Sequence, residues 1–421
     1  MDRFHIEGPC TLEGTVTVGG AKNAVLPLMA ATLLTEGVNR IHNVPRLRDT
    51  RTMARVLETM GAQTSFEGHE LTVDTTGARG IEAPYELVKT MRASIYVLGP
   101  TLARHGETKV SLPGGCAWGP RPVNLHLMGM EALGATIDLD GGYIHAKADR
   151  LRGAEINFEI SSVGATANVL MAAVLAEGRS VLDNAAREPE VTQLAQALVA
   201  AGAKIDGIGT TRLEVTGVEE LRPLEIGVIP DRIEVGTFLA AAAALRSRIR
   251  VEGVRPEHVA STIDALSMTG ARFTVHDDAI DADGTNAHRP PNAITRPFPG
   301  FPTDMQAQTM AVACLMDGIS VITDTIYTDR FTHVAELQRL GASIRVENNA
   351  AIVRGVPSLT GAPVMATDLR ASAALILAGL AAEGTTVLDR IYHIDRGYEA
   401  IEKKLGALGA KIERVEGPPT P

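Results

Sequence analysis

Aromatic side chains are scarce in this sequence, which holds 1 Trp, 6 Tyr and 8 Phe among 421 residues. Its cores are therefore expected to be built mainly from Ala, Val, Leu and Ile. Cysteine is scarcer still. Cys10, Cys116 and Cys314 make an odd count, too sparse for a disulfide framework in a chain this size, so a reducing compartment is the better reading. Long hydrophobic runs are missing as well: AVLPLMAATLL and FLAAAAAL fall far short of the roughly 20 residues that a membrane span requires. The opening MDRFHIEGPCTLEG alternates like a strand and has no apolar run behind a basic start, so no signal peptide is expected. A soluble, cytoplasmic protein with no membrane partner follows as the expectation.

Positive charge is in deficit, with a formal net charge of −10. That balance argues against nonspecific nucleic-acid binding, which needs a positive surface, but it leaves room for a small anionic ligand held by local charge. Several motifs are also missing. No G-x-x-x-x-G-K-[ST] loop and no G-x-G-x-x-G after a strand occur, which leaves a Walker-type site and a dinucleotide cofactor unsupported. Neither H-E-x-x-H nor C-x-x-C is found, so no metal site is expected. His333 and Glu336 could share a helix face, and His393 and Asp395 in YHIDRGYE read better as turn hydrogen bonds.

What the chain does have is repetition. A helix-like stretch ending in Gly-Ala and running into an alternating strand occurs six times, as VLETMGAQTSF, GMEALGATIDL, ALVAAGAKIDG, ALSMTGARFTV, ELQRLGASIRV and KLGALGAKIER. Their glycines, Gly61, Gly134, Gly202, Gly270, Gly341 and Gly409, recur every 70 or so residues (about twice the ankyrin or tetratricopeptide period) and are expected to cap helices in the left-handed region. An alanine-rich helix, a short turn and a strand keep the same phase, as in VLMAAVLAEGRSVLDNA and ILAGLAAEGTTVLDRI. Helices this small and apolar should be buried, with sheets packed around them. Six units suggest two α/β domains of three units each, with a crossover at GVIPDRIEVG, residues 227–236. The tail GPPTP is expected to be disordered.

Chemistry gathers at the turns. Residues 111–126 read SLPGGCAWGPRPVNLH and set Cys116 among glycines and prolines, on a segment that regular structure does not accommodate. Arg121, five residues on, would favour its thiolate. Lys22 and Asn23 follow Gly19 and Gly20 at the start of an apolar helix, where free N–H groups can meet an anion. Arg92 enters an apolar stretch in KTMRASI and must find a partner. Arg330, Arg370 and Arg396 follow Asp329, Asp368 and Asp395 closely, so local salt bridges compete with the reading that they converge on a doubly anionic ligand. Asp304, after Pro297, Pro299 and Pro302, is either a helix N-cap, which spacing alone favours, or a carboxylate base. Cys314 reads as core, and Cys10 as inert.

GGAKNA, KTMRAS, LPGGC, RPV, SVGAT, NAAREPE, PDRIE, FPTDMQAQ, MATDLRAS and IDRGYE occur in that order, and together they resemble the enolpyruvyl transferase family in its branch acting on UDP-N-acetylglucosamine. The likeness runs from Met1 to about Glu416. It implies a two-domain inside-out α/β barrel, each domain three βαβαββ repeats with buried helices and outer sheets. Residues 21–228 would form the first domain, and residues 1–20 with 229–421 the second. Substrates would bind in the cleft between them, under a lid carrying Cys116. It implies phosphoenolpyruvate contacts from Lys22, Asn23, Arg121, Arg330, Arg370 and Arg396. The nucleotide sugar would meet Arg92, Arg121, Pro122, Val123, Asn124, Leu125, Ser162, Val163, Gly164, Asp304 and Ile326. Cys116 would be the general acid and adduct site, Asp304 the base for the sugar 3-hydroxyl, and Lys22 and Arg396 further catalytic cations. No cofactor or metal is implied, and the oligomeric state is left open. Two departures stand out: Asn124 replaces the usual aspartate, and Trp118 a usual aliphatic residue. The alternatives are the 3-phosphoshikimate enzyme of the same fold, which lacks the LPGGC lid, and a noncatalytic UDP-sugar-binding paralogue. RNA-end processing by a related repeat fold is disfavoured by the acidic balance.

Overall fold

The computed structural model describes residues 2–112 and 123–417. Cys116, Trp118, Arg121 and Pro122, with the expected lid, lie outside the described residues, as does nearly all of the GPPTP tail. The chain divides into two compact units, one drawn from residues 20–229 and the other from residues 2–19 and 230–417.

Each unit holds three four-stranded sheets, and all six sheets share one pattern: an edge strand parallel to its neighbour, followed by two antiparallel pairings. In the first unit, Glu155–Asn157 runs parallel to Arg179–Asp183, which pairs antiparallel with Arg212–Thr216 and through it with Lys204–Asp206. The same pattern joins Glu225–Gly227, Val38–His42, Glu70–Asp74 and Gln63–Glu67. In the second unit the N-terminal residues complete two sheets. Arg3–Gly8 lies antiparallel between Gly384–Asp389 and Lys411–Val415, and Glu13–Thr17 runs parallel to Arg248–Glu252. The alternation of RFHIEG sets the register, with Phe4 and Ile6 buried and their neighbours partly exposed.

Inside these sheets run six apolar helices: α1 (Lys22–Ala31), α2 (Leu98–His105), α3 (Val163–Ala173), α4 (Arg232–Ala244), α5 (Gln306–Ala313) and α6 (Leu369–Ala381). Every residue of α5 is buried, as is α4 from Ile233 to its end. A methyl group contributes only about 0.8 kcal/mol on burial. Alanine-rich helices must therefore gain from close mutual packing, and α5 packs on both α4 and α6, while α2 packs on α3. Each unit is thus an inside-out α/β arrangement with its own core.

The six repeat glycines all take positive φ, from +91° at Gly61 to +116° at Gly202. Glycine alone enters that region without a Cβ penalty. At Gly341, φ is +95° and a Cβ would meet nothing within 4 Å, so backbone strain is the sole cost of a side chain there. Gly341→Ala is expected to lower stability by about 1 kcal/mol, and Gly341→Asn by less, read from the urea midpoint. Equal midpoints for wild type and the alanine variant would remove the strain argument.

Candidate active site

In the first unit, Lys22 opens α1 and is nearly buried. Its ammonium lies 2.8 Å from a carboxylate oxygen of Asp49, itself buried in the first turn of the helix Arg48–Thr59. A buried charge needs such a partner, and no local sequence pattern marks Asp49 as that partner. Asn23 follows on α1, half-buried.

A second polar cluster centres on Asn168, fully buried in the middle of α3. Its side-chain oxygen accepts the N–H of Gly99 at 2.6 Å, which fixes which way the amide faces. Its nitrogen donates to the Ile95 carbonyl at 2.7 Å and to Nδ1 of His126 at 3.0 Å. Nδ1 must then be the acceptor, so the His126 imidazole carries its proton on Nε2. Burial, and then the charge of Arg92, pushes the His126 pKa down to about 4. A Cβ on Gly164 would come within 3.2 Å of the imidazole, so glycine admits the ring.

One amide thereby ties α3 to the 3-10 helix Arg92–Val97, to α2 at Gly99 and to the helix Asn124–Ala132. These segments carry Arg92, Asn124, Leu125, Val163 and Gly164. Val123 precedes the second of them, and Ser162 caps α3 by accepting the N–H of Ala165. The one amide in SVGATANVLMAA is the signal that the sequence offers for this cluster.

In the second unit the central group is Asp304. The N-cap reading fails: Pro302 occupies the cap of the 3-10 turn Thr303–Met305, and the Asp304 carboxylate is engaged elsewhere. Arg370 donates to its Oδ2 from Nε at 3.2 Å and from Nη2 at 3.0 Å, while Arg330 donates to Oδ1 at 2.8 Å. The guanidiniums are buried, at 1% and 3% exposure, whereas a quarter of the Asp304 side chain reaches solvent. The packed protein around Asp304 raises its pKa, and the charges of Arg370, Arg330 and then Arg232 outweigh that effect. Its carboxyl is held well below the usual carboxylate range.

The local salt bridges with neighbouring aspartates are overturned for two arginines. Asp368 instead caps α6, accepting the N–H groups of Arg370 and Ala371. Helix N–H groups at a terminus need an acceptor, and the aspartate beside them supplies it. Arg330 turns to Asp304 in place of Asp329. Asp395 is bound by Arg414 at 2.6 and 3.1 Å, so it is not confined to a turn. Arg396 ends the 3-10 helix Ile391–Arg396, half-buried. The Arg370 guanidinium lies over the Tyr398 ring, 5.4 Å from its centroid, and the Tyr398 hydroxyl meets Thr237 and Gln308 at 2.8 and 3.2 Å. Its Nη1 is buried with no hydrogen-bond partner among the described residues.

Ile326 is exposed in a turn whose N–H groups at Ile326 and Tyr327 are held by Asp324. Cys314 is core, its thiol pushed up to about 12 by burial, and Cys10 is half-buried and raised to about 11. Among the described residues no cluster of His, Cys, Asp or Glu could hold a metal, and no helix is long and apolar enough to cross a membrane.

Each unit thus sets buried helices inside repeated sheets, and the second unit sets one carboxylate against two buried arginines. Residues 6–405 match the family described as EPSP synthase (3-phosphoshikimate 1-carboxyvinyltransferase), and the chain belongs to this family of carboxyvinyltransferases. Within it, the chain is 54% identical over 416 residues to UDP-N-acetylglucosamine 1-carboxyvinyltransferase of Geobacter metallireducens, covering 99% of this chain and 100% of that one. It is 55% identical over 419 residues to the protein of the same name from Chlorobaculum parvum, covering 99% of each. Among solved structures, the enolpyruvyl transferase NikO from Streptomyces tendae superposes with a TM-score of 0.89 at 26% identity, covering 99% of each chain. EPSP synthase from Acinetobacter baumannii shares the fold, with a TM-score of 0.74 at 18% identity over 99% of this chain and 100% of that one.

Two outcomes follow from these charges. His126 and His333, the latter also pushed down to about 4 mainly by burial, stay neutral in the fold, while in the unfolded chain each protonates near pH 6.5. The unfolded state therefore binds more protons as pH drops from about 6.5 to 4, and stability falls through that window by up to about 3 kcal/mol per histidine. Urea midpoints at pH 7, 5 and 4 should decline for wild type and decline less for His126→Gln; parallel profiles would contradict this. Separately, Asp304→Asn leaves two buried guanidiniums facing a neutral amide and should cost about 3 kcal/mol at pH 7. An unchanged urea midpoint would show that the arginines need no counter-charge.

Proposed function

We propose that the protein transfers the enolpyruvyl group of phosphoenolpyruvate to the 3-hydroxyl of UDP-N-acetylglucosamine and releases phosphate, the first committed step of peptidoglycan synthesis, in the cytoplasm. The observation that carries this reading is the Asp304 carboxylate between two buried arginines, on a chain more than 50% identical to relatives named for that reaction.

The chemistry accounts for the residue types. The sugar hydroxyl adds to the phosphate-bearing carbon of the enol phosphate while a proton reaches the methylene, giving a tetrahedral ketal. Loss of phosphate and a proton then yields the enolpyruvyl ether. Asp304 takes the proton from the hydroxyl, and Cys116 delivers one to the methylene and can carry a substrate adduct. Lys22, Arg121 and Arg396 hold the phosphate with Asn23 beside it, and Arg330 and Arg370 meet the carboxylate end, stabilising the ketal where its charge lies. Arg92, Arg121, Pro122, Val123, Asn124, Leu125, Ser162, Val163, Gly164, Asp304 and Ile326 hold the nucleotide sugar.

A carboxylate paired with two guanidiniums is a weak base. Phosphoenolpyruvate competes for those same cations, so its arrival strengthens Asp304 as a proton acceptor. Base strength would thus follow binding of phosphoenolpyruvate.

Phosphate release with phosphoenolpyruvate plus UDP-N-acetylglucosamine, against shikimate 3-phosphate as comparison acceptor, tests the reading. Release is expected with the nucleotide sugar alone. Release only with shikimate 3-phosphate would transfer the assignment to the other branch, and release with neither acceptor would leave a noncatalytic binder. In the same assay Cys116→Ser should lose most turnover.

A further inference from the structure

Asp324 follows the strand Ile319–Thr323 and is completely buried. Its two carboxylate oxygens serve different segments. Oδ1 accepts the hydroxyl of Thr295 at 2.8 Å and the N–H groups of Ile326 and Tyr327, both at 2.9 Å. Oδ2 accepts the hydroxyl of Thr303 at 2.7 Å. The backbone at Asp324 is fixed in turn by Asn349, whose carbonyl accepts its N–H at 2.9 Å and whose side chain donates to its carbonyl at 3.2 Å.

Both arms lead to groups assigned above to a substrate. Thr303 precedes Asp304, and its oxygen also accepts from Nη1 of Arg330 at 2.9 Å, the same nitrogen that reaches Asp304. One hydroxyl therefore couples Asp324 to the carboxylate and to its cation. On the other arm, Thr295 accepts the N–H of Thr325 at 2.9 Å, so Oδ1 and Thr295 together fix the turn that presents Ile326. Hydrogen bonds to a buried ionised carboxylate are stronger than neutral ones, and side chains locked this way stay close to one geometry.

We propose that Asp324 is a positioning residue that holds the Thr303–Asp304–Arg330 group and the Ile326 turn in fixed register, one carboxylate oxygen for each. The inference rests on the transferase reading, in which Arg330 meets phosphoenolpyruvate, and Asp304 and Ile326 the nucleotide sugar. A neutral scaffold residue would couple both arms to stability alone; a positioning residue separates them by ligand.

The test uses Thr303→Val and Thr295→Val, each of which removes one hydroxyl with little change in shape, and Thr303→Ser, which keeps the hydroxyl. Calorimetry on the full chain measures phosphoenolpyruvate and UDP-N-acetylglucosamine, each added alone. Thr303→Val, which releases both Asp304 and Arg330, should weaken both ligands, Thr295→Val should weaken the nucleotide sugar at least fivefold more than phosphoenolpyruvate, and Thr303→Ser should bind like wild type. Equal losses for both ligands in Thr295→Val, no loss in either valine variant, or a serine variant as weak as the valine one would overturn the proposal. A wild type that binds both substrates yet releases no phosphate would sink the proposed reaction alone, because the variants' affinities still decide the role of Asp324. Binding of neither substrate by wild type would overturn both.

Discussion

Two guanidiniums, from Arg330 and Arg370, are almost entirely withdrawn from water, and one carboxylate, Asp304, answers both. The energetic weight of this arrangement lies in its asymmetry. Taking one charged group out of water costs several kcal/mol when nothing opposes it, whereas a well-bonded pair roughly breaks even. The cluster therefore constrains the fold more than it stabilises it, since Asp304, α6 and the segment of Arg330 must arrive together. Much of the second unit's polar interior follows from that demand. Tyr398 lies against Arg370, Thr237 and Gln308 satisfy the Tyr398 hydroxyl, and Gln306 donates to the Arg330 carbonyl at 3.1 Å.

Such a cluster needs rigid supports, and the alanine-rich helices supply them. Small side chains let α4, α5 and α6 pack closely, so that Thr237, Gln308 and Arg370, one from each helix, belong to one connected network. In the first unit, Asn168 on α3 performs a related task with neutral groups alone, spending its oxygen on Gly99 and its nitrogen on Ile95 and His126. A core of larger, looser side chains would hold these partners apart, and a buried polar atom that loses its partner costs about 1–3 kcal/mol.

The period of the chain was legible because it rests on local rules. A glycine that must take positive φ after a helix leaves the same mark at Gly61 and at Gly409, whatever surrounds it. The buried helices were legible too, from apolar faces with no polar side. Pairing was harder. Arg370 announced itself as a charge in an apolar helix, but its sequence neighbour Asp368 is consumed by the N–H groups of α6, and its true partner stands 66 positions away. Periodicity carries no information about such distant pairings; sheet and helix topology decides them. The same holds for Lys22 with Asp49, and for Asp324, whose donors come from three separate stretches.

A cation cluster that binds an anionic substrate must not be idle when the substrate is away, since isolated buried charge is the costliest state available to it. Lys22 meets this constraint with Asp49, and Arg330 and Arg370 meet it with Asp304. The two solutions differ in consequence. Asp49 is itself buried in a helix and acts as a fixed counter-charge to Lys22. Asp304 keeps a quarter of its side chain open, so the groups that neutralise it can be shared with a ligand. In the proposed reaction the same carboxylate would serve as counter-ion in the empty protein and as proton acceptor in the filled one, using one set of charges for both states. Under that proposal, Arg330 and Arg370 would restrain the base until an anionic substrate draws on them.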